Sequence, residues 1–282
     1  MIVDCHTQLF DPGVMRPGEA VVVQADASRH VQSLSPVDRA LVHGFKSVYL
    51  DTEIPNRTIA DYVRQYSSKL IGVAGIDPLA ADCLDELAIA DEELSLQGVT
   101  VSPALQNFHP CATDAMRVYA ACAERRMPIF FEHNHRNPAA KLDFARPHLL
   151  DEVAREFPQL RIVVTRLGSP WLGETVLLLG KHPNVYADVS GLLRQPWTAY
   201  NALMVAHEHG VMHKLLFGSD FPYRSSAECI EALYSINQIT LGTNMPAIPR
   251  AELRGIVERD ALALLGIADR RRPSAIMEDD DA

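Results

Sequence analysis

Short apolar runs of four to seven residues, separated by amphipathic stretches, recur along almost the whole chain, and this alternation restricts its fold more than any other feature. The runs are Ile2–Cys5, Lys46–Leu50, Leu70–Ile76, Gly98–Val101, Pro128–Phe131, Arg161–Thr165, Val185–Asp188 and Leu215–Gly218. Each is rich in Val, Ile, Leu or Phe, as parallel strands buried on both faces require. The stretches between them read as helices. Thr113–Arg125 repeats Ala, Met, Tyr and Cys at steps of three and four, and Leu149–Phe157 and Ser225–Ser235 behave similarly. Ser225-Ser226-Ala227-Glu228 has capping-box spacing. Ser35-Pro36-Val37-Asp38 is expected to open a helix, with Ser as cap and Pro in the first turn. A last helix is expected over about Arg250–Leu265.

Strand and helix in alternation imply a parallel sheet with crossover helices, and eight repeats favour closure. The expected fold is therefore α/β, a single-domain (β/α)8 TIM barrel over residues 1–267. Such barrels need about 250 residues, and the 282 here suffice. No G-x-G-x-x-G follows any strand, which argues against a dinucleotide site. Met15–Gln32 is the least regular part and reads as a loop over the mouth. Residues 268–282, with Arg270-Arg271-Arg272 and then Glu278–Asp281, read as a flexible charged tail with little to bury.

The 36 acidic residues outnumber the 26 basic ones, for a net charge of −10, which argues against nucleic acid as a partner. No run approaches the roughly 18 apolar residues of a membrane span. The five cysteines form no C-x-x-C pair and no signal sequence precedes them, so they read as reduced thiols of a cytoplasmic protein. The expected partner is a small-molecule substrate, with a homo-oligomer left open.

In a barrel the chemistry sits just past the carboxyl ends of the strands. The groups there are His6 and Gln8, then Glu132, His133, Asn134, His135 and Arg136, then Thr165 and Arg166, then Asp188 and Ser190, then Ser219 and Asp220. A single His or Asp after a strand more often caps a helix than does chemistry. Five polar strand ends meeting at one mouth favour function.

These same segments resemble the amidohydrolase superfamily, in its amidohydrolase-related branch of decarboxylase-like and dicarboxylate lactonase-like enzymes. Ile2-Val3-Asp4-Cys5-His6-Thr7-Gln8 is similar to the family's opening D-x-H-x-H strand. Gly98-Val99-Thr100-Val101-Ser102-Pro103, Met127–His133 and Ile162–Gly168 are similar to later strands. The blocks Pro183–Gly191 and Leu216–Pro222 match most specifically, and the likeness spans about residues 1–267. It implies a hydrolase in which a metal-bound water gives a proton to the aspartate matching Asp220.

The chain departs from that pattern. Gln8 stands at the second opening histidine, Arg166 at the strand-six histidine, Thr100 and Ser102 at the strand-four pair, and Glu132 at the strand-five histidine with His133 next to it. Gln8 offers only a neutral oxygen, and Arg166 cannot ligate a metal. Two readings follow. A weakly held zinc or manganese would use His6, Glu132 (or His133) and Asp220. Alternatively no metal binds, Arg166 supplies the positive charge, Asp220 activates water and His6 shares the proton. Either way the expected substrate is a small polar or anionic ester, lactone or amide. Decarboxylation, and a barrel that binds without catalysis, are the alternatives. Gln8, His133, His109, Tyr223 and Arg224 are expected to line the substrate site. Trp171 and Trp197 are expected to pack.

Overall fold

The computed structural model describes residues 1–9, 26–133 and 137–267. Its strands are β1 (Val3–Thr7), β2 (Arg39–His43), β3 (Lys46–Ser47), β4 (Thr52–Glu53), β5 (Leu70–Gly75), β6 (Val99–Val101), β7 (Ile129–Phe131), β8 (Ile162–Val164), β9 (Val185–Asp188) and β10 (Leu215–Leu216). Eight pair in the order β1-β2-β5-β6-β7-β8-β9-β10, every pair parallel, while β3 and β4 form a separate antiparallel hairpin. The ring closes where Cys5 donates its N–H to the Phe217 carbonyl at 2.8 Å and Thr7 bridges Phe221. The expected (β/α)8 barrel is the fold observed.

Alternate residues on each strand face opposite ways. Val3, Cys5, Leu41, Ile71, Val73, Phe130, Val163 and Leu216 form an inner core, plugged by the helix Ala261–Leu265. Neighbours such as Val42, Val99, Ile129, Phe131, Ile162, Val164 and Ala187 belong to the larger core that includes the outer helices. Apolar residues on both faces leave most of the polar side chains to the strand ends, which is where the site forms.

The structure corrects several sequence expectations. The second barrel strand is Arg39–His43, and Lys46–Ser47 belongs to the hairpin instead. Nor does a helix open at Ser35. The helix Ala27–Ser33 starts earlier, with Asp26 accepting from the Arg29 N–H at 2.7 Å, and has ended by Leu34. Pro36 disfavours helix at Ser35, and Asp38 donates its N–H to Ile2 at 2.8 Å, already entering the sheet. Ala40-Leu41-Val42 is too short an apolar run for periodicity to tell helix from strand. The expected last helix is two, Arg250–Glu258 and Ala261–Leu265, because Arg259 is extended and Asp260 caps the second. Other helices stand close to expectation, and Ser225 and Glu228 form the capping box. Trp171 lies near the Arg146 guanidinium, and Trp197, though 59% exposed, rests against the Tyr200 ring with centroids 6.2 Å apart. Most of the expected mouth loop, Asn134–Arg136 and the tail lie outside the described residues. Among the described residues no helix is long and apolar enough to cross a membrane.

Candidate active site

Six strand ends and the loop after one of them bring seven ionisable side chains together. His6 is on β1, whose pairing with β2 shifts register between Asp4 and Thr7. Such irregularities re-aim side chains beside sites. Asp4, fully buried, holds the turn: its carboxylate accepts from the N–H groups of His6 (3.2 Å) and Ser219 (2.9 Å) and from the Ser226 hydroxyl (2.7 Å). This ties β1 to the segment carrying Asp220.

His6 faces carboxylates on both edges. Its Nδ1 lies 3.4 Å from Asp188 Oδ2, and its Nε2 lies 3.5 Å from Glu132 Oε2 and 4.0 Å from Asp220 Oδ1. Burial alone would depress the imidazole pKa, but Glu132 and Asp188 push it up to about 9, so His6 is an imidazolium at neutral pH. Burial would likewise raise Asp188, yet His6 and the hydrogen bonds of Ser190 and the Arg166 N–H bring it below the usual carboxylate range. Its Oδ1 accepts from the N–H groups of Arg166 and Ser190, both at 2.9 Å, and from the Ser190 hydroxyl.

Arg166 follows β8 in a turn where it and Leu167 have φ of 55° and 49°. That left-handed pair is uncommon for non-glycine residues and bends the chain back over the mouth. Arg166 Nη2 is 2.9 Å from Asp220 Oδ1 and 3.2 Å from Glu132 Oε1. Asp220, also left-handed at φ 62°, meets a second guanidinium, with Arg194 Nη2 3.1 Å from its Oδ2. Burial raises the Asp220 pKa, opposed by Arg166, His6 and Arg194. Two glycines make room. A Cβ on Gly191 would lie 3.0 Å from Asp220 Oδ2, and one on Gly218 3.0 Å from His6 Cβ.

The structure thus unites His6, Glu132, Arg166, Asp188 and Asp220 from the strand ends that the sequence singled out, and adds Arg194 and His43. His43 stacks on His6 at 4.7 Å. Its Nε2 is 2.9 Å from the Cys5 carbonyl, which only accepts, so Nε2 carries the proton and Nδ1 accepts from the Thr100 hydroxyl at 2.7 Å. The other expected lining residues fare unevenly. Gln8 is buried and donates its N–H to Phe221, with no side-chain bond to the cluster among the described residues. His133 turns its Nδ1 to the Phe131 carbonyl at 2.9 Å, leaving Glu132 as the group against His6. His109 is exposed and accepts from the Cys111 N–H. Arg224 donates to the Leu193 carbonyl. Tyr223 does adjoin the site, its ring 4.3 Å beneath the Arg194 guanidinium. Arg194 escaped the sequence reading because it lies six residues past β9; a search for cations farther along each loop would have met it.

Residues 3–267 match the amidohydrolase family. The chain belongs to that family. No curated protein matches the chain. Among solved structures, an uncharacterized TIM-barrel protein of Bordetella bronchiseptica is 18% identical, with TM-score 0.70 over 95% of this chain and 99% of its own. A probable 2-pyrone-4,6-dicarboxylic acid hydrolase of Acinetobacter baumannii with citric acid bound is 17% identical, with TM-score 0.67 over 94% and 99%. A dihydroxybenzoic acid decarboxylase of a Polaromonas species with bound manganese is 12% identical, with TM-score 0.66 over 96% and 99%. At these identities the likeness shows the fold.

The manganese belongs to that neighbour, and the donors of this chain decide whether such an ion fits here. His6, Glu132 and Asp220 are suitable donors, but the Arg166 guanidinium engages both carboxylates. Among the described residues no His, Cys, Asp or Glu group has metal-binding geometry. As arranged, the residues do not fit a divalent cation.

Proposed function

We propose that this amidohydrolase hydrolyses an ester or lactone of a small, anionic substrate. The observation that carries the reading is Asp220, a buried carboxylate between two guanidiniums and facing an imidazolium. A water attacks the carbonyl carbon and passes one proton to Asp220. Arg166 stands where charge grows on the carbonyl oxygen, in a site too buried for bulk water to screen it. When the intermediate collapses, the bond to the leaving oxygen breaks and that oxygen takes its proton from His6. The water's proton, held on Asp220, then returns to His6 through the cluster, and the carboxylic acid product ionises to solvent, so one water is consumed and one acid and one alcohol are formed. Glu132 and Asp188 keep His6 charged for this step. Arg194, the most exposed of the cations, meets the substrate's carboxylate. No step is assigned to a divalent ion.

The test is a turnover screen over carboxylated lactones and esters, comparing wild type with Asp220→Asn. The expected result is acid release by wild type and a loss of roughly 10²–10⁴-fold in the variant. Equal rates in the two proteins, or CO2 as the product, would overturn hydrolysis.

A further inference from the structure

We infer that Arg166 is a built-in substitute for a divalent cation, and that this one residue keeps the site closed to metal. His6 Nε2 lies 3.5 Å from Glu132 Oε2 and 4.0 Å from Asp220 Oδ1. Two donors bound to one zinc or manganese ion at about 2.1 Å stand about 3.0–3.4 Å apart. His6 and Glu132 stand close to that spacing and Asp220 Oδ1 about half an ångström beyond it, and the nitrogen and oxygen chemistry of these groups suits such an ion.

What prevents it is the guanidinium. Arg166 Nη2 contacts both carboxylates, 3.2 Å from Glu132 Oε1 and 2.9 Å from Asp220 Oδ1. It is anchored there: its backbone N–H is bonded to Asp188 at 2.9 Å and its side chain is 9% exposed. An arginine does not shed its proton, so the position is cationic at every working pH. Arg194 Nη2 lies 3.1 Å from the other Asp220 oxygen, so two fixed guanidiniums already face these carboxylates. A dication placed beside them would meet like charge where few waters reach, and such burial is costly. Replacing Arg166 by histidine removes one positive charge and adds a fourth donor in the same place.

The inference builds on the site of the proposed hydrolysis but not on the reaction, since its test needs no substrate. Full-length wild type, Arg166→His and Arg166→Met are stripped with a chelator, dialysed against manganese(II) or cobalt(II), and assayed for ions per chain and for cobalt d–d absorption. Wild type is expected to retain less than about a tenth of an ion, and Arg166→His about one. Glu132→Gln on the Arg166→His background should return to the wild-type value. Wild type holding about one ion per chain overturns the inference, as does a folded Arg166→His that holds no more than wild type. Should Arg166→His fail to fold, Arg166→Met decides: retention above wild type supports the inference, and retention equal to it overturns it. A metal-loaded wild type that hydrolyses esters would end this inference alone. A metal-free wild type without turnover would end only the proposed reaction.

Discussion

His43 stacks almost face to face on His6, with ring centroids 4.7 Å apart and planes 22° from parallel. Both rings are fully buried, yet they hold opposite protonation states. Burial, and then the His6 charge, lower His43 to about 3, while the carboxylates raise His6 to about 9. The neutral ring is a fixed floor under the charged one. His43→Phe keeps the stack but abandons the Cys5 carbonyl and the Thr100 hydroxyl. A buried polar group left without a partner costs about 1–3 kcal/mol. Urea denaturation should show a loss of that order, and an unchanged midpoint would contradict these bonds.

The raised pKa of His6 makes stability depend on pH with a definite sign. The folded value of about 9 exceeds the ordinary 6.5, so the native state holds this proton more tightly than the unfolded chain. The contribution is fully present below about pH 6.5 and is lost as pH rises through 9. It amounts to something on the order of 3 kcal/mol. Thermal melts should fall across that window in wild type and fall less in His6→Gln. A flat wild-type curve would mean a neutral His6.

Much of this was visible in the sequence, and what was hidden has physical causes. Apolar runs mark seven of the eight barrel strands, because parallel strands buried on both faces tolerate few other residues. Asp220, His6 and Arg166 were legible because they directly follow such runs. Arg39–His43 was missed because a short apolar run after a proline-bearing turn fits either secondary structure. His43 was lost with it. Asp188 was seen as a strand-end residue, but its hold on the Nδ1 side of His6 is a tertiary relation between β1 and β9. Arg194 needed the fold of its loop.

Gly191 and Gly210 form a matched pair for testing how closely Asp220 is fitted. Both are left-handed, with φ of 70° and 68°. A side chain costs about 1–2 kcal/mol in that conformation at either place. They differ in surroundings: a Cβ on Gly191 would lie 3.0 Å from Asp220 Oδ2, whereas Gly210 has nothing within 4 Å. Gly191→Ala and Gly210→Ala should lose comparable stability, but only the first should lose turnover, by about tenfold or more, since small misplacements of reacting groups are expensive. Equal activity in both would show that Asp220 tolerates displacement.

Arg194 separates substrate charge from the chemical step. It touches Asp220 at 3.1 Å and lies over Tyr223, with part of its side chain open to solvent. Arg166 remains on the other Asp220 oxygen when Arg194 is removed. The base is then still held, but the outer cation is gone. A charge-assisted hydrogen bond to a substrate carboxylate contributes about 1.5–3 kcal/mol. Arg194→Met should therefore raise KM for a carboxylated ester roughly 10- to 100-fold, while kcat/KM for the neutral methyl-capped analogue changes by less than about threefold. Tyr223→Phe keeps the ring face that the guanidinium rests on and should leave KM near wild type. If Arg194→Met impaired the charged and the neutral substrate equally, Arg194 would be acting through Asp220 rather than through the substrate's charge.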